Sequence, residues 1–180
     1  MESISKKSSN SFQCIDALEV SLSIEKQGFI YYDKAAKSAI DPRVRDVFLR
    51  LANEEKEHIQ SLQNTARFLQ PALANKATSR KSSTESFIKN EILGKVFPIS
   101  GDDKNEAHAA QSDFEALGIG INAEMRSIEV LSQLMADEKK MDVRMIFNHL
   151  LVEEKKHLAV LEEIKKELSQ GVSIESSLKW

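Results

Sequence analysis

Two Glu-x-x-His steps occur in this chain, Glu55 to His58 and Glu154 to His157, and a further glutamate lies 30 residues before each: Glu25 and Glu124. A separation of three puts the glutamate and the histidine on one face of a helix. Carboxylate oxygen and imidazole nitrogen together suit first-row divalent ions, iron or manganese before copper. Zinc is less favoured because Cys14 is the only cysteine, which also excludes an intramolecular disulfide and a four-thiolate site. Four ionised carboxylates sharing an apolar core would repel one another and resist desolvation, whereas two divalent cations would cancel their charge. Such a metal pair can pass between reduced and oxidised states, so the chemistry expected is a two-electron reduction of peroxide or dioxygen.

The elements that must position these groups show in the apolar periodicity. Ile15, Leu18, Leu22, Phe29, Tyr32 and Ala36 form a stripe stepping by threes and fours, and Glu25 falls on it. A second stripe, through Val44, Phe48, Leu51 and Leu62, takes in Glu55 and His58. Phe114, Leu117, Ile121, Ile128, Leu131 and Met135 carry Glu124, and Val143, Phe147, Leu150, Leu161, Ile164 and Leu168 carry Glu154 and His157. All six polar groups therefore face one core.

Helix boundaries follow from local signals. Asp41-Pro42 supplies an N-cap with proline in the first turn, Pro71 is expected to stop the second helix near Leu69, and Ser112 with Glu115 has capping-box spacing. The fourth helix is expected from near Asp142 to just before Gly171. Turns near Asp41 and Lys139 make two antiparallel hairpins, and each lies midway between its two glutamates. Folding there brings Glu25 level with Glu55, and Glu124 level with Glu154, about 22 Å up each helix. The connection between the hairpins is long, with one short helix expected over Ser83 to Leu93, and it suits an overhand crossover. Two hairpins so joined resemble the ferritin-like four-helix bundle, an all-α fold. Hairpins exchanged between two chains would give the same pattern.

The two halves also match each other. Adding 99 to 25, 55 and 58 gives 124, 154 and 157, and the same offset pairs Leu18 with Leu117, Val44 with Val143, Phe48 with Phe147 and Leu51 with Leu150. This reads as an internal duplication.

Composition narrows the function classes. The 180 residues carry 25 basic and 28 acidic side chains, a net charge of -3, which gives no reason to expect a nucleic acid or an anionic membrane as partner. No apolar run reaches the roughly 18 residues of a membrane span, and residues 1–11 lack the apolar stretch of a secretory signal. The expected organisation is a polar tail over 1–11, one helical domain over 12–170, and a tail or short helix over 171–180, in a cytoplasmic protein.

The segments Ile24-Glu25-Lys26-Gln27-Gly28-Phe29-Ile30-Tyr31-Tyr32 and Leu51-Ala52-Asn53-Glu54-Glu55-Lys56-Glu57-His58 resemble the first half of a rubrerythrin-type domain. Ala123-Glu124-Met125-Arg126-Ser127-Ile128 and Glu153-Glu154-Lys155-Lys156-His157-Leu158 resemble its second half, so the likeness runs from about Ile15 to Leu168. The resemblance implies two iron ions, with manganese as the alternative. In the ligand arrangement of that class, Glu25 and Glu124 are terminal, His58 and His157 take one metal each, and Glu55 and Glu154 bridge. Rubrerythrins also carry an iron held by four cysteines, which this chain cannot build. The likeness is therefore to the rubredoxin-lacking type, with electrons arriving from a separate donor such as a rubredoxin-like protein. A further glutamate of the family, one turn after the third-helix ligand, is replaced by Ser127, and Gly28 is its counterpart in the first half. A homodimer is the oligomer the resemblance suggests. The alternatives to an oxidoreductase are a ferroxidase or iron-storage protein and a non-enzymatic metal-binding bundle.

Among secondary candidates, Tyr32 lies seven residues after Glu25 on the same stripe, where its hydroxyl either approaches a bridging carboxylate or bonds elsewhere. Its counterpart is Leu131. His108 and His149 lack the Glu-x-x-His context and read as ordinary histidines, Cys14 as a free thiol, and Arg45 and Arg144 as partners in surface or interfacial ion pairs.

Overall fold

A computed structural model describes residues 12–73, 78–98, 110 and 112–170. The expected tails and His108 lie outside these residues. Five helices, labelled in chain order, make up the architecture: α1 (Cys14–Ser38), α2 (Pro42–Leu73), α3 (Thr78–Phe87), α4 (Asp113–Asp137) and α5 (Met141–Ser169). There are no strands among the described residues, and no helix of theirs is long and apolar enough to cross a membrane. The chain is an all-α, ferritin-like bundle. α1 packs along α2 and α4 along α5, while α1 also meets α4 and α5, and α2 meets α5.

Local chemistry sets the helix ends. Asp41 Oδ1 accepts a hydrogen bond from the Arg43 backbone N–H at 2.8 Å, which starts α2 with Pro42 as its first residue. Ser112 Oγ accepts from the Glu115 N–H at 3.2 Å and starts α4. The stop expected at Pro71 is not observed, because α2 continues to Leu73. The proline forfeits one backbone hydrogen bond and crowds the carbonyl four residues earlier, a cost met at one position of a 32-residue helix.

The two hairpin turns are built alike. Arg45 Nη2 donates to the Ala39 carbonyl at 2.7 Å, and Arg144 Nη1 donates to the carbonyls of Met135 at 2.6 Å and Glu138 at 3.1 Å. Arg45 and Arg144, expected in surface or interfacial ion pairs, instead clamp helix-end carbonyls that have lost their intrahelical donors. Asp113 at the head of α4 accepts the N–H groups of Ile40 (3.0 Å) and Asp41 (2.6 Å), tying the second hairpin to the turn of the first.

The crossover is more structured than its sequence suggests. α3 begins five residues before the expected start and runs into a π-helical segment, Ile88–Ile92, which ends at Gly94 with φ 73°. That left-handed conformation favours glycine. Thr84 Oγ1 donates to Asp16 Oδ1 at 2.7 Å, and Ile92, Val96 and Phe97 are buried against the bundle.

The stripes are broader than their sequence pattern. In α1, Ile15, Leu22 and Phe29 are half-buried, while Ala17, Val20, Ser21, Ile24 and Gly28 are fully buried, because α1 is covered by α2 on one side and by the crossover and α5 on others. Phe114, expected inside, is 47% exposed and lies under the Lys165 ammonium at 4.5 Å.

Candidate metal centre

Glu25 of α1, Glu55 of α2, Glu124 of α4, and Glu154 and His157 of α5 are all at most 2% exposed, and each replaces an apolar residue on its stripe. His58 of α2 stands beside them with 22% of its side chain exposed. The structure thus brings all six expected residues together, in two overlapping clusters. Glu55, Glu124, Glu154 and His157 offer one set of ligand atoms within 4.8 Å of one another, and Glu25, Glu55 and His58 offer the other. Glu55 belongs to both, as a bridging carboxylate should. Glu154 belongs only to the first, so the geometry distinguishes it from Glu55, with which it was paired as a bridge.

The contacts are close but poorly aligned. His58 Nδ1 lies 3.4 Å from Glu25 Oε2. His157 Nδ1 lies 3.3 Å from Glu55 Oε1, 3.7 Å from Glu124 Oε1 and 3.8 Å from Glu154 Oε2. None of these meets hydrogen-bond geometry, and Oε2 of Glu25, Glu55, Glu124 and Glu154 and both imidazole Nδ1 atoms are buried without a hydrogen-bond partner. Buried polar atoms are rarely left so. Six orphaned ligand atoms gathered in two overlapping clusters fit divalent cations, which would satisfy all of them.

Electrostatics point the same way. Burial, followed by the charge of Glu25 and its other carboxylate neighbours, pushes the Glu55 carboxyl well above its ordinary range. Burial and then Glu124 do the same to Glu154, with the Ser127 hydroxyl opposing. The Glu25 carboxylate against His58 raises that imidazole, against the lowering effect of partial burial, and Glu153 and Glu54 add to the rise.

Tyr32 is fully buried, and its hydroxyl donates to Glu124 Oε1. Its partner is therefore a carboxylate expected to be terminal, not a bridging one. Burial and then Glu124 hold its phenol well above the ordinary value, so it stays a donor. Phe97 from the crossover and Phe48 from α2 pack on its ring, with centroids 5.8 and 6.0 Å away. Cys14 takes no part. Its thiol donates to Asp142 at 2.8 Å, and burial with that contact pushes its pKa up to about 11.

Three contributors were not assigned a site role from the sequence. Glu54 Oε2 lies 3.3 Å from His157 Nε2, the nitrogen facing away from the cluster. That nitrogen too is buried without a hydrogen-bond partner; a carboxylate beside it would, on closer approach, favour the tautomer that leaves Nδ1 free to ligate. Ser127 Oγ donates to Glu154 Oε1 at 2.8 Å. Gly28 leaves room for Glu55, since a Cβ at 28 would sit 2.8 Å from Glu55 Oε1. The available signals were the match of Glu54 with Glu153 across the 99-residue offset, each next to a Glu-x-x-His step, and the place of Gly28 and Ser127 about one turn after Glu25 and Glu124.

A helical bundle with Glu-x-x-His steps on two hairpins, closed over an inward-facing carboxylate cluster, defines a ferritin-like carboxylate protein whose core can hold metal. The sequence model of the Rubrerythrin family matches residues 16–165, and the chain belongs to that family. Searches of curated proteins and of solved structures gave no match.

Proposed function

We propose that the chain is a di-iron carboxylate oxidoreductase that reduces peroxide or dioxygen with electrons from a separate donor protein. The observation that carries this reading is the convergence of four buried carboxylates and two imidazoles whose inward-facing atoms have no other partner. Glu25 with His58, and Glu124 with His157, would each hold one iron, and Glu55 would be shared. When bound, the iron pair supplies the two electrons that, with two protons, turn one peroxide into two waters.

The chain's own groups hold the ligands for that reaction. Glu54 stands 3.3 Å from His157 Nε2 on the outer side of the ring, Tyr32 keeps its proton on Oη against Glu124, and Ser127 holds Glu154 in place. The single cysteine supports an external donor of the rubredoxin-like type, since no four-thiolate iron can form within these 180 residues. A storage role would need a closed multi-subunit cage, and sedimentation separates it from a dimer.

The test is metal content after growth with ample iron, for the wild type and for the double variant Glu55→Ala, Glu154→Ala. About two irons per chain in the wild type and none in the variant are expected, following the two-metal ligand arrangement. Faster peroxide consumption by the reduced, iron-loaded protein than by free iron would then support the activity. A wild type that cannot be loaded with iron or manganese would overturn the reading.

A further inference from the structure

Five of the six candidate ligands are sealed from solvent, and only His58 reaches it. His58 is thus the candidate ligand that an ion arriving from solvent can meet first, and what surrounds that ring is informative. The His149 ring, exposed on α5, meets it edge-on with centroids 6.4 Å apart, while the His157 ring stacks on its inner side at 5.9 Å. Glu153, one turn beyond His149 on the same helix, feels the charge of both His58 and His149, and Glu54 bears on His58 as well. Three imidazoles thus form a file from surface to core, His149, His58 and His157, flanked by two carboxylates. Lys156 bonds Glu153 at 2.8 and 2.9 Å, and Arg50 approaches Glu54 at 3.9 Å, so both carboxylates are held near the file.

We propose that His149 and Glu153 form an outer reception site through which divalent transition-metal ions enter the buried centre by way of His58. The inference rests on the metal-binding reading above. A hydrated dication cannot cross directly into a sealed carboxylate core, because stripping its water all at once is prohibitively costly. Exchanging waters one at a time for imidazole and carboxylate divides that cost into small steps. Residues four apart on a helix face can bind one ion together. The buried, unpartnered Nδ1 of His58 and Oε2 of Glu25 give the ion its next ligands inward. His149 therefore has a role that its lack of a Glu-x-x-His context concealed.

The experiment is stopped-flow uptake of Co(II) by the metal-free full-length chain, followed by the visible bands of the bound ion, for wild type and for the double variant His149→Ala, Glu153→Gln. Uptake by the variant is expected to be about tenfold slower at limiting metal, in the range of electrostatic and local-concentration effects on association. The final Co(II) content and the thermal melt should match those of the wild type. Uptake within about twofold of wild type would overturn the entry route while leaving the metal centre standing. A wild type that takes up no Co(II) would overturn the centre and the route together.

Discussion

The two hairpins offer the same three groups to the core and surround them differently. In the second hairpin His157 is sealed, with 3% of its side chain exposed, and Glu54 lies 3.3 Å from its outer nitrogen. In the first, His58 is 22% exposed. Its equivalent outer carboxylate, Glu153, is engaged by Lys156, whose counterpart in the first half is Glu57. Glu124 receives the Tyr32 hydroxyl, whereas the corresponding partner for Glu25 would come from Leu131, which has none to give. Position 28 is bare where position 127 donates to Glu154. A matched set of candidate ligands thus sits in unmatched surroundings, and the lesson is that the two halves of the candidate centre differ in exposure and hydrogen bonding, not in ligand type.

The sharpest way to break this comparison is to remove the group common to both clusters. Glu55→Ala should abolish binding of both ions, whereas Glu25→Ala should leave one per chain, with metal analysis as the measure. Equal losses in the two variants would show that Glu55 is not shared. Gly28→Ala comes next. The added methyl meets the Glu55 carboxylate, so metal affinity should fall about 10- to 100-fold, the range typical of disturbed ligand support. The metal-free protein should lose no stability, because that carboxylate can swing aside and alanine favours the helix.

The pH dependence separates the core from its metals. Glu55 and Glu154 have folded-state values raised above the ordinary 4.5 of a glutamate, chiefly by burial. A raised value contributes stability that is complete below about 4.5 and is lost as pH rises through the folded-state value. The raised His58 imidazole acts in the same direction. The chelated protein should therefore melt several degrees higher at pH 5 than at pH 8. The metal-loaded protein should show the opposite trend, because protons compete for the ligands. Calorimetry on both forms checks the sign.

Smaller effects sharpen the comparison between hairpins. Tyr32→Phe should weaken one of the two metal-binding steps about tenfold and leave the other unchanged, as expected for a lost hydrogen bond to a buried charged group. Ser127→Ala removes the hydroxyl donor to Glu154, in the same cluster as Glu124, and should cost about threefold, read from the same titration.

Much of this was legible in the sequence because helical spacing encodes direction. Glu25, Glu55, His58, Glu124, Glu154 and His157 announce themselves as polar breaks in apolar stripes, and turns equidistant from each glutamate pair set their common height. What stayed hidden depends on neighbours from other helices. Glu54 looks like a solvated partner of Arg50 until α5 brings His157 within 3.3 Å. Phe114 fits the stripe by number, but it sits in the first turn of α4, where cover ends and Lys165 lies over the ring. In the crossover the sequence shows a short helix but not the π-helical turn that ends it, because such a turn follows neither α-helical nor strand spacing. The crossover nevertheless lays Phe97 on Tyr32, and so helps aim the one hydroxyl that reaches Glu124.

The paired arginine clamps at the hairpin turns bear on how this chain tolerates change in length. Each further residue in a helix turns the chain by about 100° and advances it by about 1.5 Å. A loose turn could absorb an inserted residue, but a turn whose carbonyls are gripped by Arg45 or Arg144 must pass it on. The ligands beyond would then rotate out of phase with those before. These turns act as the zero mark of a two-armed ruler, and indels there should be far more damaging than in the long crossover.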